Sequence, residues 1–358
     1  MSLKVLELFA GIGACSKALE NLNIDFELVD AVEIDKHAIK SFNAIHNTNF
    51  EAQDICAWDK DIKVDLIMHG SPCQDFSIAG KQAGGDEGSG TRSSLMYQTL
   101  RIVEKLKPKY VIWENVKNLL SKRHVHNWDA YNEYMEQLGY VTYCQILNAK
   151  DYGIPQNRER VYTVSILPDD EYLNKDFDYP KPMKLEKTLK DFLEPNADEK
   201  YYLSDDKINM IAKWKCYEKP LDRVMHDDSI VGTITTRSGA ECRGMKLVAI
   251  KCANKQGYDV AQDGDGIDLA YPNSNTRRGR VGHGVSKTIQ TSSIQGVLEG
   301  ERIRKLTPRE CWRLMGFSDS DFDKASKVNS NAQLYKQAGN SIVVNVLEGI
   351  IRNLLEVK

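Results

Sequence analysis

The sequence predicts an α/β fold, with a doubly wound, mostly parallel sheet and a second, smaller and irregular domain. Over the first 170 residues, short apolar runs typical of buried strands alternate with segments that repeat apolar residues at helical spacing. Such βαβ units place their strands in parallel and their helices on both faces of the sheet. From about residue 171, short segments rich in Pro, Asp, Lys and Gly replace this pattern and indicate a second domain.

Six apolar runs are predicted as strands and four periodic segments as helices. The strands are Val5 to Leu8, Phe26 to Val32, Val64 to Met68, Tyr110 to Trp113, Val141 to Leu147 and Val161 to Ile166. The helices are Gly13 to Leu22, Leu95 to Leu106, Trp128 to Leu138 and Ser341 to Leu354. Asn340 or Ser341 is expected to cap the last helix, which should pack onto the N-terminal sheet. The chain is therefore divided into a first domain over 1–170, a second over 171–303, and a return segment over 304–358 that completes the first.

The composition excludes several classes of protein. The chain has 358 residues, enough for two domains, and a formal net charge of −3 that gives no global indication of a nucleic-acid partner. Its eight cysteines form no CxxC pair, so neither a metal site nor a redox dithiol is expected. The first strand begins at Leu3, and no apolar run approaches the length of about 18 residues that spans a membrane. We therefore expect a soluble, cytoplasmic protein without membrane contact.

Cys73 occupies the position expected of a reactive thiol. It follows the apolar run Val64 to Met68 in the segment Gly-Ser-Pro-Cys-Gln-Asp-Phe-Ser, residues 70–77, just before a glycine-rich stretch. In an open α/β sheet, the ends of such strands form the ligand crevice. A thiol is intrinsically nucleophilic but needs a partner to ionise it near neutral pH. Because most free cysteines are buried and inert, the other seven are interpreted as structural.

The turn after the first strand predicts a cofactor site. The glycines of Phe9-Ala10-Gly11-Ile12-Gly13 let the backbone approach a ligand closely, although any tight strand-helix turn needs glycine. Glu33 ends the second strand about 20 residues further on, where a carboxylate can accept hydrogen bonds from ribose hydroxyls. Asp54 is placed to hold an adenine amino group. These residues predict an adenosine-containing cofactor, and both NAD and S-adenosylmethionine are compatible with them.

Glu114 and two arginines are further candidates for a site. Glu114 follows the strand Tyr110 to Trp113, where desolvation would raise its pKa and make it a candidate general acid. A helix-capping carboxylate is an equally common interpretation of this position. In Gln156-Asn157-Arg158-Glu159-Arg160, strand alternation would place both arginines on one face, where two guanidiniums suit a base oxygen or a phosphate.

Residues 269–298 form a basic window without acids. It contains Arg277, Arg278, Arg280 and Lys287, together with polar residues suited to base-edge readout: Asn273, Asn275, Thr276, Gln290 and Ser292. Such a patch is as often a solvated loop. We expect at least one of the three arginines to read a base, with Thr233 to Arg243 as the alternative recognition segment.

Taken in order, these segments resemble the cytosine-5 DNA methyltransferases of bacterial or phage type over nearly the whole chain. The resemblance rests on six motifs: Phe9-Ala10-Gly11, Pro72-Cys73-Gln74, Glu114-Asn115-Val116, Gln156-x-Arg158-x-Arg160, Arg304-Lys-Leu-Thr-Pro-Arg-Glu-Cys-x-Arg-x-Met-Gly316, and Gly339-Asn340-Ser341. It implies an S-adenosylmethionine-dependent DNA (cytosine-5-)-methyltransferase with a Rossmann-like fold. Residues 1–170 would be the catalytic, cofactor-binding domain, and residues 171–303 would be the target recognition domain.

The resemblance also implies site residues. The catalytic residues around the cytosine would be Cys73, Glu114, Arg158 and Arg160. The cofactor site would be lined by Phe9, Gly11, Gly13, Glu33, Ile34, Asp54, Ile55, Pro72, Leu95 and Asn340. The DNA contacts would include Gln74, Ser77, Arg237, Arg277, Arg278, Arg280 and Thr288. The glycines from Gly80 to Gly90 would form a lid over the base.

The expected reaction is methylation of carbon 5 of a cytosine flipped out of duplex DNA, through a covalent adduct of Cys73 with carbon 6. A tRNA cytosine-5 methyltransferase would share this machinery, but the long variable domain favours duplex DNA. A non-catalytic DNA-binding regulator is less compatible, because every catalytic position is filled, and nothing matches a nicotinamide dehydrogenase. We expect a monomer, nucleoid-associated in the cytoplasm, that acts alone or in restriction-modification with a cognate restriction endonuclease.

Overall fold

A six-stranded sheet is the central element of the computed structural model, which describes residues 2–72, 92–168, 176–215, 247–300 and 302–356. The first seven strands are β1 (Leu3–Leu8), β2 (Phe26–Val32), β3 (Leu66–His69), β4 (Tyr110–Val116), β5 (Val141–Asn148), β6 (Gln156–Asn157) and β7 (Glu159–Ile166). The order in the sheet is β2-β1-β3-β4-β7-β5. Of these six strands, only β7 runs antiparallel to its neighbours, so the predicted mostly parallel sheet is confirmed.

Helices cover both faces of this sheet. In chain order they are α1 (Ala14–Asn21), α2 (Lys36–His46), α3 (Met96–Leu106), α4 (Val125–Gln137), α5 (Asp205–Ile211), α6 (Pro308–Arg313), α7 (Asp319–Ser326), α8 (Asn331–Asn340) and α9 (Val344–Leu354). α1 and α9 pack on one face, and α3 and α4 pack on the other, which confirms the doubly wound arrangement. Within the described ranges, none of the helices is both long and apolar enough to cross a membrane.

The central strands are apolar along their whole length because both faces of the sheet are covered. Met68 and Ile112 pack in the core that contains α1 and α9, whereas Ile67 and Val111 pack in the core that contains α3 and α4. All four side chains are buried. A strand buried on both sides shows a continuous apolar run instead of polar-apolar alternation. This is the pattern from which the strands are predicted.

Two helices differ from the prediction. α2 has no counterpart among the predicted helices, although Asp35 caps its N-terminus and its own residue Phe42 is fully buried. α9 begins at Val344 and not at Ser341. The backbone at Ser341 and Val343 is extended, with ψ of 160° and 117°, so these residues connect α8 to α9 and do not belong to the helix.

The second domain contains two small antiparallel sheets. One has the order β10-β9-β8 and consists of β8 (Ala212–Lys215), β9 (Val248–Lys251) and β10 (Tyr258–Ala261). The other has the order β12-β11-β14-β15 and consists of β11 (Gly266–Asp268), β12 (Val281–Gly282), β14 (Gln295–Glu299) and β15 (Arg302–Lys305). In the chain, β13 (Ser286–Lys287) lies between β12 and β14. It pairs in parallel with β6 and so joins the second domain to the first.

The chain beyond residue 176 still packs on the first domain. The Tyr179 hydroxyl lies 2.9 Å from the carbonyl oxygen of Tyr143 and 2.7 Å from that of Tyr162. Phe177 belongs to the same buried cluster. At the other end, β15 continues a sheet of the second domain across residue 304. The changes in packing therefore do not coincide with the limits at 171 and 304 that composition and motif order suggest.

A buried ion pair fastens the second domain to the return segment. The Arg304 guanidinium on β15 donates to both carboxylate oxygens of Glu310 on α6, each at 2.8 Å, and its Nε donates to Glu299 at 2.8 Å. Arg304 and Glu310 are fully buried. The Glu310 carboxylate also accepts a hydrogen bond from the Thr307 backbone, which completes the capping box that begins α6. Removing one member of such a pair leaves the other charged and unsolvated.

We predict that Arg304→Met lowers the free energy of unfolding by about 3–5 kcal/mol, because the Glu310 carboxylate stays buried without its partner. Arg302→Met, on the same strand, is the matched control. Arg302 is half exposed and pairs with the exposed Glu199, so its loss should change the free energy far less. Urea unfolding followed by tryptophan fluorescence measures both variants. Equal losses in the two would contradict a special role for the buried pair.

Candidate functional site

The turn between β1 and α1 has a backbone shaped for close approach. Phe9, Gly11 and Gly13 have positive φ angles of 53°, 56° and 81°. At Gly13 no side chain fits, because a Cβ there would lie 2.2 Å from Nε2 of His46. A residue with a side chain at positive φ, such as Phe9, is strained, and such strain is common at ligand sites. The turn therefore marks this edge of the sheet as a candidate site.

Glu33, just after β2, braces this turn. Its carboxylate accepts hydrogen bonds from the backbone N–H of Gly11 at 2.9 Å and of Asp35 at 2.8 Å. Burial raises the pKa of Glu33, and these two hydrogen bonds oppose the rise. The two carboxylate oxygens of Glu33 offer about four acceptor positions, of which these hydrogen bonds use two. The remaining positions can accept hydrogen bonds from a ligand. Beside Glu33, the side chain of Ile34 is 68% exposed and offers an apolar surface to a ligand.

The other predicted cofactor residues lie at different depths. Asp54 is exposed, and its carboxylate accepts a backbone hydrogen bond at 2.9 Å. Ile55 is buried, so little of its side chain is available to a ligand. Pro72 and Leu95 are half-buried, and Asn340 is exposed. Contact with a cofactor is therefore sterically open at four of these five positions.

A cavity joins the predicted cofactor turn to the predicted catalytic acid. It is bounded by the turn after β1, by the end of β3 and by the segment that follows α8. Its lining includes Phe9, Gly11, Gly70, Glu114 and Asn340. The structure thus brings residues from four separate parts of the chain around one space.

Glu114 forms part of the wall of this cavity, and its environment makes the neutral acid easier to form than in an exposed glutamate. Burial raises the pKa of Glu114, and the positive charges of Arg160 and Arg158 oppose the rise. Arg160 Nε lies 3.0 Å from Glu114 Oε1, which is the distance of an ion pair. The geometry is not that of a directed hydrogen bond, and Oε1 has no hydrogen-bond partner among the described residues. A buried carboxyl with an unused oxygen beside a cavity can exchange a hydrogen bond or a proton with a ligand.

Arg158 and Arg160 do not share a face, contrary to the prediction. Arg158 lies between β6 and β7 and belongs to neither strand, so the alternation rule does not apply to it. Its guanidinium is buried and donates to the carbonyl oxygens of Ile289 at 3.0 Å, Gly339 at 3.1 Å and Ser341 at 2.8 Å. The prediction that Arg158 contacts the base is therefore corrected. Its side chain holds the second domain and the return segment against the first domain.

Several predicted residues lie outside the described residues: Cys73, Gln74, Ser77, Gly80 to Gly90, Arg237, and the alternative recognition segment from Thr233 to Arg243. The described chain nevertheless leads to the first of them. A Cβ at Gly70 would lie 3.8 Å from Glu114 Oε2, so the residue that follows β3 lies beside Glu114. Three residues of extended chain span at most about 11 Å, which limits the distance between Gly70 and Cys73 along the backbone.

A larger cleft lies where the second domain meets the first, with a volume of about 650 Å³. Three predicted DNA contacts line it: Arg277, Arg278 and Thr288. Arg278 is exposed and makes no ion pair with any described residue, whereas Arg277 is paired with Asp268. The Thr288 hydroxyl donates to the carbonyl oxygen of Asn157 at 2.8 Å, so it can offer only acceptor positions to a ligand.

Arg280 is not available to DNA, contrary to the prediction. Its side chain is fully buried. Nη1 donates to the carbonyl oxygens of Asp268 at 3.0 Å and Ala270 at 2.7 Å, and Nη2 donates to that of Tyr271 at 2.7 Å. A polar window in a sequence does not distinguish an arginine that faces solvent from one that supports a loop from within. Arg280 is therefore removed from the set of candidate DNA contacts.

Two residues that line the cleft, Tyr271 and Asn157, are absent from the predicted site. Tyr271 is 74% exposed. An aromatic residue followed by Pro272, inside a polar window without acids, is the sequence signal that could have identified it. Asn157 is exposed, whereas the residues on either side of it, Gln156 and Arg158, are buried. These two buried neighbours fix the position of Asn157 in the cleft.

Comparison with known proteins gives the family of this chain. The family model for C-5 cytosine-specific DNA methylase matches residues 3–356. The orphan methyltransferase M.SPRI of Bacillus phage SPR is 33% identical, over 99% of this chain and 97% of the relative. The type II methyltransferase M.HhaI of Haemophilus parahaemolyticus is 34% identical, over 98% of this chain and 94% of the relative. The crystal structure of the S. pombe Dnmt2 methyltransferase has a TM-score of 0.59 at 20% identity, over 99% of this chain and 98% of that one.

The likeness to the solved structure shows the fold, and the family match over almost the whole chain shows the family. The resemblance drawn from six motifs is thereby confirmed. Its motifs come from the first domain, which forms the six-stranded sheet, and from the return segment, which covers one face of that sheet and completes the lining of the cavity. The chain belongs to the C-5 cytosine-specific DNA methylase family and is a DNA (cytosine-5-)-methyltransferase.

Proposed function

We propose that this enzyme transfers a methyl group from S-adenosylmethionine to carbon 5 of a cytosine within a specific sequence of duplex DNA. The cytosine would be flipped out of the duplex and held in a covalent adduct with Cys73. The observation that carries the proposal is the cavity shared by the turn after β1 and Glu114. The cavity is small, about 40 Å³, and its value to the proposal is that its lining brings the turn predicted to hold the cofactor next to Glu114, a carboxyl group whose pKa is raised by burial.

The chemistry explains why a thiol and a neutral acid are needed together. Carbon 5 of cytosine is too electron-poor to attack a methyl sulfonium directly. Addition of the Cys73 thiolate to carbon 6 would form a carbon–sulfur bond and move the electron pair of the C5–C6 double bond toward N3. Glu114 would give N3 a hydrogen bond or a proton and stabilise the charge that develops there. Carbon 5 would then take the methyl group as the bond between that methyl group and the sulfonium sulfur breaks, which leaves S-adenosylhomocysteine, and would lose its proton to a base. Elimination returns the thiolate, and the N3 proton returns to Glu114.

Arg160 is the arginine proposed to act beside the base. Its guanidinium is paired with Glu114 and only partly exposed, and it can hold a carbonyl oxygen of the pyrimidine ring. Arg158 is proposed as a positioning residue, because its Nη1 and Nη2 groups donate to backbone carbonyls. The two arginines of one motif would therefore serve different purposes.

The residues after β1 and β2 fit S-adenosylmethionine. Glu33 keeps acceptor positions for the ribose hydroxyls, and the exposed Ile34 offers a surface for the adenine ring. Phe9 and Gly11 would hold the amino-acid end of the cofactor beside the cavity. When bound, the cofactor supplies an electrophilic methyl group. The chain's own contribution is to orient it and to exclude water from the adduct.

Duplex DNA would occupy the cleft between the two domains. Arg278 and Lys287 supply positive charge along it, and Asn157 and Gln290 supply groups that can donate to and accept from base edges. One relative is an orphan methyltransferase and the other is a type II methyltransferase. We propose DNA methylation by a monomer in the cytoplasm, either alone or in restriction-modification with an endonuclease of the same target. Sequencing of bisulfite-treated host DNA would reveal the target.

We predict that Cys73→Ser reduces methyl transfer to duplex DNA to below a few per cent of the wild-type rate, because a hydroxyl is a far weaker nucleophile. A duplex that contains 5-fluorocytosine should trap the wild type covalently, since fluorine cannot leave carbon 5 as a proton does, and it should not trap the variant. Tritium transfer and a denaturing gel measure the two effects. Cys144→Ser, a substitution on β5, is the matched control and should behave like the wild type. Transfer to tRNA in place of DNA would favour the tRNA alternative.

We predict that Glu114→Gln lowers the methylation rate by about 10²–10⁴-fold, because glutamine has a similar shape but no acidic proton to give. The raised pKa of Glu114 keeps the acid neutral to a higher pH than in an exposed glutamate. The wild-type rate should therefore fall as the pH rises through this pKa, and the variant should lack that fall. Single-turnover methyl transfer across a pH series measures it. A wild-type rate that only increases with pH would contradict the role of the neutral acid.

We predict that Arg278→Ala weakens the interaction with DNA and that Arg278→Lys identifies the contact. If Arg278 contacts a phosphate, the alanine variant reduces the slope of log K against log salt concentration by about one, and the lysine variant preserves that slope. For a guanine contact, both variants lose about 1–3 kcal/mol on the target and relax one base pair, because lysine lacks the bidentate fork. Methylation of a random library at two salt concentrations measures this, with the exposed Arg352→Ala as control. Two variants with the wild-type motif and salt slope would exclude Arg278 from the DNA contacts.

A further inference from the structure

Tyr271 presents an aromatic ring to solvent at the edge of the cleft between the domains. Its side chain is 74% exposed, more than any other large apolar side chain among the described residues. The ring lines the cleft together with Arg278, Lys287 and Gln290. A monomer gains nothing from leaving such a ring in water, and exposed aromatic residues beside polar groups are typical of binding surfaces.

The backbone of Tyr271 is held in a conformation that tyrosine rarely adopts. Its φ is +48°, in the left-handed region. The carbonyl oxygen of the same residue accepts a hydrogen bond from Arg280 at 2.7 Å, and this fully buried guanidinium also holds the carbonyls of Asp268 and Ala270. A buried charge with three backbone acceptors fixes the backbone of the loop, and with it the point from which the ring projects. Strain that the surroundings maintain in this way is characteristic of functional positions.

Arg277 supports the ring from within the same loop. Its guanidinium carbon lies 5.8 Å from the centre of the Tyr271 ring, within the range of a cation–π interaction. The guanidinium is also paired with the carboxylate of Asp268, which is buried, with Nε at 2.9 Å. Arg277 is therefore already engaged inside the protein. The loop exposes the ring of Tyr271 and the side chain of Arg278, whose guanidinium makes no ion pair with a described residue.

The chemistry of the cleft indicates which partner would meet the ring. The carboxylate of Asp268 in its lining is neutralised by Arg277, and the remaining charged groups are positive. A polyanion with polar edges suits such a lining, and DNA bases add the flat or methyl-bearing surfaces on which an aromatic ring can pack. The face of the ring carries no charge to pair with a phosphate, and it matches the flat surfaces of bases; only the hydroxyl could donate to a phosphate oxygen. A contribution of the ring itself would therefore come from bases.

We propose that Tyr271 contacts bases of the target duplex through its ring and sets part of the sequence choice of this enzyme. The proposal rests on the proposed function, because it assumes that duplex DNA occupies the cleft. Arg280 and Gly279 are then positioning residues: Arg280 clamps the loop from the buried side, and Gly279, at a φ of +58°, lets the chain turn between Arg278 and Arg280.

The variant that tests this is Tyr271→Asn. Asparagine tolerates the left-handed backbone conformation, so it removes the ring without adding strain to the loop. Tyr271→Phe keeps the ring and removes only the hydroxyl. Val328→Asn, which removes an exposed apolar side chain from the turn after α7, is the matched control. Methylation of a random duplex library by the full-length proteins gives the sequence motif, and steady-state rates on the preferred duplex give kcat/KM.

We expect Tyr271→Asn to lower kcat/KM about tenfold or more and to relax the choice at one or two base pairs, with S-adenosylmethionine binding and the salt slope unchanged. Tyr271→Phe and Val328→Asn should match the wild type. A Tyr271→Asn enzyme with the wild-type motif and rate would overturn the proposal, and so would an equal loss in Tyr271→Phe, which would assign the effect to the hydroxyl. Failure of the wild type itself to methylate any duplex would overturn the proposed function, and this proposal with it.

Discussion

The guanidinium of Arg158 is the contact on which the arrangement of the site depends. It holds the carbonyl of Ile289 from the second domain and two carbonyls from the return segment, all at one buried point. Hydrogen bonds to a charged group contribute about 1.5–3 kcal/mol each, so three of them fix these segments firmly. Gln156 acts alongside: its side chain donates to the carbonyl of Leu314 at 2.7 Å and accepts from the N–H of Ile289 at 2.9 Å. The turn after β1, Glu114 and the cleft are therefore held together through these buried contacts.

The same contact influences the electrostatics of Glu114. Two arginines that faced the carboxyl group directly would favour its ionised form, since each opposite charge lowers the pKa. Arg158 is turned toward backbone carbonyls, which leaves Arg160 as the only arginine paired with the carboxylate among the described residues. Burial then outweighs the arginines, and the pKa rises. The contact that Arg158 makes with backbone carbonyls is in this way linked to the pKa of Glu114, through the short segment that carries Arg158 and Arg160.

The sequence predicts the parts of this molecule that follow from periodicity and from strand ends. The central strands are recognisable because continuous burial leaves continuous apolar runs, and Glu114 is recognisable because it follows one of them. Arg158 and Arg280 are misjudged for one physical reason: a buried guanidinium that binds carbonyls looks in sequence like an exposed one that binds DNA. α2 is missed although Asp35 and its apolar spacing indicate a helix. Tyr271 is missed although it is an aromatic residue in a polar window without acids, because composition does not show that Arg280 holds its backbone from the buried side.

The order of the elements along the chain matters for synthesis on the ribosome. α1 and α9 cover the same face of the sheet, and Asn21 and Glu348, which are 327 residues apart, share a hydrogen bond there at 2.6 Å. A nascent chain that has completed all six strands therefore still lacks α9, which comes almost last. Until it emerges, apolar side chains of the sheet on that face remain uncovered and prone to aggregation. Premature termination within the return segment would yield a complete sheet with one apolar face uncovered, which would aggregate and not act as a smaller enzyme.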